Sequence, residues 1–126
     1  MRFVLTCIVI ALNSALGFSQ EAEFFVKQPT HKFPKTNEGK LLEHTFVVTN
    51  TGKSPLVISG YKVECTCTKA FLPKEPILPG KSGVIKITFD SEGKAFYQDR
   101  IIYLETNTKR KTEKIRFKVY VEPKAE

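Results

Sequence analysis

From Leu42 onward the chain alternates. In Leu42-Glu43-His44-Thr45-Phe46-Val47-Val48-Thr49-Asn50 the row Leu42, His44, Phe46, Val48 interleaves with Glu43, Thr45 and Thr49, the period of two shown by a strand with one buried face. Turn residues Asn50-Thr51-Gly52-Lys53-Ser54-Pro55 stop it. Leu56-Val57-Ile58, Tyr61 and Val63 predict a second strand that runs into Cys65 and Cys67, and Pro73, Pro76 and Pro79-Gly80 break the segment after the cysteines. Val84 to Asp90 alternates again, with Ile85, Ile87 and Phe89 inward and Lys86 and Thr88 outward. Ile101 to Glu105 and Ile115 to Val121 repeat the theme, joined by a polar connection over Asn107 to Lys114. With an N-terminal strand near Phe24 to Lys27, the pattern predicts about seven short strands and no amphipathic helix, an all-β sandwich.

The first residues follow a different rule. Met1-Arg2 is a short positive start, Phe3 to Leu12 is almost wholly apolar, and Asn13 to Ser19 turns small and polar ahead of Glu21-Ala22-Glu23. That three-part order predicts a secretory leader over residues 1–19, a mature start between Phe18 and Glu21, and one domain over residues 20–126. The apolar run is too short to span a bilayer, so the protein is expected to be periplasmic or secreted and not membrane-spanning. Cys7 lies inside the leader, which leaves Cys65 and Cys67 as the cysteines of the domain, in a compartment that permits disulfides.

Charge changes the picture little. The formal net charge is +7, from which loss of Arg2 would remove one unit. In an exported chain that balance points to an anionic surface polymer or an envelope protein as partner, and away from nucleic acid. The densest basic run, Lys109-Arg110-Lys111, falls in the polar connection; it reads as a solvated hairpin tip or as a partner-binding site. Asn50 and Gly52 read as turn architecture, Asn bonding its own backbone and Gly accepting positive φ. Pro79 and Gly80 fit the two central positions of a type II turn.

Cys65-Thr66-Cys67 is where chemistry could concentrate. In a fully extended strand, residues two apart share a face with α-carbons about 6.5 to 7 Å apart, at or beyond the limit for a disulfide, so a bridge requires a bend. Thr66 makes a bend through positive φ costly, which counts against a tight bridge. Two sulfurs on one face are also half of a soft-metal site, but a closed site wants four ligands, and His31 and His44 are the only histidines. His44 falls in the inward row of its strand, where a packed histidine is expected; His31 carries no signal of its own. A structural disulfide, packed thiols, a soft-metal site and thiol exchange all remain open for the pair.

The ordered set Phe46-Val47-Val48-Thr49-Asn50-Thr51-Gly52, Leu56-Val57-Ile58, Cys65-Thr66-Cys67-Thr68, Pro76-Ile77-Leu78-Pro79-Gly80, Ile85-x-Ile87-x-Phe89-Asp90 and Thr106-Asn107 resembles the bacterial domain-of-unknown-function family 1573 over roughly residues 22 to 121. That family is similar to the immunoglobulin-like modules grouped with the major sperm protein and the periplasmic pilus chaperones. The resemblance implies an immunoglobulin-like sandwich and an exported setting, and it brings no established activity. The chain departs from the family pattern at Glu64-Cys65-Thr66-Cys67, where the family has Ser-Cys-Gly-Cys and the Gly would ease a bend, and at Phe96, where the family has Gly.

No triad, phosphate loop, His-Glu-x-x-His or carboxylate pair is present as a motif, so no catalytic residue and no cofactor is expected. Two functions fit the sequence. One is an exported, non-catalytic interaction module of the cell envelope that binds through a strand edge or its loops. The other is a thiol-based soft-metal or redox protein centred on Cys65 and Cys67.

Overall fold

Where no helix covers them, rows of apolar side chains that alternate with polar ones are buried by two sheets facing each other, and the computed structural model, which describes residues 21–125, has that arrangement. The leader expected over residues 1–19, Cys7 included, lies outside the described residues. Nine strands occur among the described residues: β1 (Phe24–Phe25), β2 (Thr30–Lys32), β3 (Thr36–Asn37), β4 (Leu41–Asn50), β5 (Ile58–Lys62), β6 (Thr68–Phe71), β7 (Ser82–Asp90), β8 (Phe96–Thr106) and β9 (Thr112–Glu122). One sheet runs β1-β4-β7-β6 and the other β2-β9-β8-β5, with β3 also on β9.

The N-terminal strand expected near Phe24 to Lys27 is shorter and does more. It pairs antiparallel with β4 only through Phe24 and Phe25, then crosses to the second sheet, where β2 and β3 run parallel to β9. Counted as three pieces of one sheet-switching strand, β1 to β3 leave the seven strands of an immunoglobulin-like sandwich.

Phe46, Val48, Ile85, Ile87 and Phe89 from one sheet meet Ile102, Leu104, Ile115, Phe117, Val119 and Val121 from the other, none more than 2% exposed. Phe89 and Phe117 touch across the interface with ring centroids 5.1 Å apart. Each such side chain contributes about 2 kcal/mol relative to exposure. Thr88, expected to face water, is on the outer face but buried, because Glu43 of β4 and Lys69 of β6 flank it in register. β8 starts five residues ahead of the expected Ile101. Gln98 and Arg100 stand opposite the buried Val119 and Phe117, so polar residues occupy inward positions there and interrupt the alternation. Arg100 Nη2 donates to Gln98 Oε1 at 2.6 Å.

Asn50 closes one end of the sandwich. Fully buried, it receives N–H bonds on Oδ1 from Glu23 (3.2 Å) and Gly52 (2.9 Å) and donates from Nδ2 to the carbonyls of Ser54 (2.7 Å) and Ile77 (2.8 Å). Its side chain thereby ties β1, its own turn and the segment before β7. Gly52 corrects the sequence reading. It is absent from the positive-φ residues; its hydrogen side chain instead admits the backbone of residues 21–23, where a Cβ would stand 2.1 Å from the Glu21 carbonyl oxygen. Gly80 behaves as expected, with φ +77° after Pro79 and a Lys81 N–H bond to the Leu78 carbonyl at 2.9 Å.

Candidate functional site

Two sides of the sandwich differ in how their edges end. On one, the N-terminal strand pairs with the end of β4 at Thr49 and Asn50 through β1 and with β9 through β2 and β3. On the other, β5 ends its sheet and β6 ends the opposite sheet, and the segment from Val63 to Cys67 crosses from one to the other. The Cys pair therefore sits in the crossover between two open edges.

Cys65 and Cys67 are joined by a disulfide, with α-carbons 5.2 Å apart. The expectation that Thr66 would oppose a bridge is overturned for a simple reason: Thr66 is not among the residues with positive φ. The chain bends as a turn, Thr68 N–H donating to the Cys65 carbonyl at 3.1 Å and Cys67 N–H to Cys65 Sγ at 3.2 Å. The next bond, Asp90 N–H to the Cys67 carbonyl at 2.9 Å, sets the phase in which β6 joins β7. Antiparallel bonding alternates, so Lys69 and Phe71 bond to β7, while Ala70 directs its N–H and C=O, and Thr68 its C=O, to the open edge. Among the described residues no three or more His, Cys, Asp or Glu side chains group as metal ligands would.

Beside β6 the outer face of its sheet is partly apolar. Phe71, Val84, Val47 and Leu41 are each more than half exposed; Val47 and Val84 are directly opposite, and Phe71 is diagonal to Val84 through its partner Lys86. Lys86 Nζ lies 5.7 Å from the centre of the Phe71 ring. A depression of about 640 Å³ runs from there to the disulfide, with Lys69, Lys86 and Lys94 facing Glu43, Asp90 and Glu92.

Lys109, Arg110 and Lys111 are exposed at the β8–β9 turn, which is shorter than the expected connection because β9 begins at Thr112. Lys111 takes φ +65° and closes the turn, its N–H bonding the Thr108 carbonyl and its carbonyl receiving the Thr106 N–H. Lys109 and Arg110 share a cleft with Glu21, Glu23 and Glu113, so the tip is less positive than its sequence.

Two constellations escaped the sequence reading. His31 of β2 and His44 of β4 come from different sheets and stack, ring centroids 3.5 Å apart at 9°. Burial holds both imidazoles below the usual histidine pKa, and His31 lowers His44 further. Phe96, Tyr97 and Tyr120 form an aromatic cluster on the outer face of the second sheet. The histidines, 13 residues apart, meet by packing of one sheet on the other, and Tyr97 and Tyr120, 23 apart, by the β8–β9 register, although the adjacent Phe96-Tyr97 ahead of a polar stretch was a readable signal.

Among the described residues no helix is long and apolar enough to cross a membrane. The fold is similar to a protein of unknown function from Porphyromonas gingivalis W83 (19% identity over 84% of this chain and 50% of that one, TM-score 0.70). It is similar to the ASH/PapD-like domain of human CEP192 (12%, all of both chains, 0.56) and to the Pseudomonas aeruginosa CupB2 chaperone (15%, 79% and 55%, 0.51). The chain spans about half the length of the Porphyromonas and Pseudomonas proteins. Similar structures include further chaperone and sperm-protein-family domains, and also protease and glycosidase structures matched over a minor part of their length. No protein of curated function matches the sequence. The model of DUF1573, a protein family of unknown function, matches residues 24–121, and the chain belongs to that family.

Proposed function

We propose that the protein is an exported, non-catalytic binding module, periplasmic or secreted, that takes an extended segment of another envelope protein onto the β6 edge. One observation carries the reading: β6 ends its sheet with the Ala70 N–H and C=O and the Thr68 C=O directed outward, next to the exposed side chains of Phe71, Val84 and Val47. A partner strand pairing there gains backbone bonds from the edge and side-chain contacts from the face beside it. Export is supported by the leader pattern and by a bridged Cys pair, which persists in an oxidising compartment. The disulfide fixes the entry into β6 and performs no turnover. Lys109, Arg110 and Lys111 add electrostatic attraction for an acidic partner. The chaperone-like neighbours support protein binding as the class of function.

Peptides selected from a random library against the protein test this. Ala70→Pro removes the outward N–H of β6 without touching a bond to β7, a position an edge strand accepts. Selected peptides are expected to bind the protein and to lose that binding in Ala70→Pro, whose melting temperature stays close to that of the parent. Peptides that bind Ala70→Pro equally well would refute the edge site.

A further inference from the structure

On the outer face of β2-β9-β8, away from the β6 edge, lies a groove of about 480 Å³ whose outward side chains include Lys32, Lys35, Tyr97, Asp99, Lys118 and Tyr120. Beside its aromatic wall one more ring is held out at a cost. Phe96 takes φ +69°, a conformation that costs a bulky residue about 1–3 kcal/mol. Opposite the buried Val121 it would by strict alternation point to the core, yet it is 57% exposed with its ring 6.3 Å from Tyr120. Tyr97, 83% exposed, meets Tyr120 edge-on at 5.0 Å. Strain that keeps the Phe96 side chain in water beside Tyr97 and Tyr120 marks a surface with a use.

The rim gives the sign of the ligand. Lys32 stands opposite Lys118 in the pairing of β2 with β9, and Lys35 Nζ lies 5.5 Å from the centre of the Tyr120 ring. Asp99 is taken up by Arg116, whose Nε donates to it at 2.6 Å and whose Nη2 pairs with its other oxygen; this holds the Asp99 carboxyl below the usual range. Glu122 is paired with Lys35 at 3.2 Å. Three ammonium groups beside exposed tyrosines repel a cation and attract an anion that offers a flat C–H face.

We propose that this groove binds an acidic polysaccharide, a sugar ring stacking on Tyr97 and Tyr120 and its carboxylates facing Lys32, Lys35 and Lys118. With Asp99 held by Arg116 and Glu122 by Lys35, the basic groups are in excess, which sets the sign of the ligand, and the exported setting favours a glycan over a nucleic acid. The inference rests on the exported reading, since such polymers surround an exported protein, but it uses different residues from the β6 edge.

A polygalacturonate oligomer is the probe, with an uncharged galactan oligomer and a single-stranded oligonucleotide as comparators, followed by tyrosine fluorescence and by amide shifts. The protein is expected to bind polygalacturonate in preference to both. Tyr97→Ala should weaken binding at least about tenfold at unchanged melting temperature. Lys32→Gln with Lys35→Gln should weaken it and flatten its salt dependence. Ala70→Pro should bind polygalacturonate as the parent does. Absence of saturable binding, equal binding by Tyr97→Ala, equal binding of the galactan, or preference for the oligonucleotide would each overturn the glycan site. Peptide binding that survives Tyr97→Ala while glycan binding is absent would sink this inference alone; glycan binding without any peptide binding would sink the edge reading alone.

Discussion

The covered side and the open side of the sandwich are built from equally ordinary strands, yet they spend their hydrogen bonds differently. On the covered side every device joins elements: β1 caps β4, β2 and β3 cap β9, Asn50 ties three segments, and His31 stacks on His44 across the sheets. On the open side β5 and β6 stop with outward backbone groups, and a disulfide between residues two apart secures a crossover without covering either edge. Edge strands invite pairing, and β6 has no strand along its outer edge, whereas β9 is paired along its outer edge by β2 and β3 and β4 at its end by β1. On the proposed reading the N-terminal strand serves stability and the β6 edge serves peptide binding, a division that substitutions can break.

The largest effect is expected at Asn50. Asn50→Ala removes four hydrogen bonds at a buried position and should cost about 3 kcal/mol, read by urea denaturation. Gly52→Ala, whose Cβ would collide with the Glu21 carbonyl, should destabilise by about 2 kcal/mol and loosen β1, visible as faster amide exchange at Lys53, which donates to Glu21. If either variant spared stability and abolished peptide binding, the division between the sides would fail.

Replacing Cys65 and Cys67 together by Ala should cost less, about 1.5 kcal/mol, because the bridge closes a very short loop. Thermal denaturation should show the loss, and circular dichroism an unchanged fold. Peptide binding should weaken only as far as the entry into β6 loosens. Loss of all binding without loss of folding would move the function to the cysteines themselves.

The histidine stack predicts a pH dependence on the covered side. Both imidazoles titrate below the unperturbed value of 6.5 when folded, so the unfolded chain binds more protons under that pH. Stability is therefore full above pH 6.5 and falls as the pH drops towards the folded-state values. His44→Phe should lessen that fall in denaturation curves taken across the window. An unchanged slope would remove the stack from the account.

Legibility followed the length and amphipathicity of each element. β4, β7 and the second half of β8 were readable because their buried rows alternate with polar ones. β2 and β3 were not: Thr30-His31-Lys32 and Thr36-Asn37 carry no alternation and exist because β9 offers them a parallel partner. β6 was missed because Thr68-Lys69-Ala70-Phe71 comes after a turn and holds one large apolar side chain, which faces outward. The Cys pair was readable as a pair, but not the bend, which comes from backbone bonds around Cys65 and Asp90. The role of Gly52 depends on residues 21–23 arriving from another part of the chain, which spacing cannot reveal.

The smallest effect is expected at the hairpin tip. Reversing Lys109, Arg110 and Lys111 to Glu should change stability by less than about 0.5 kcal/mol, since all three are exposed. It should slow association with acidic peptides at low salt and leave neutral ones unaffected. Equal association rates for both classes would reduce the tip to a solvated turn.

Amide hydrogen exchange of the protein with and without a selected peptide tests the central claim most directly. The account predicts new protection at Ala70 of β6, with no change at Phe24–Phe25 of β1 or Thr30–Lys32 of β2. Protection confined to the covered side, or a peptide that binds without protecting Ala70, would contradict it.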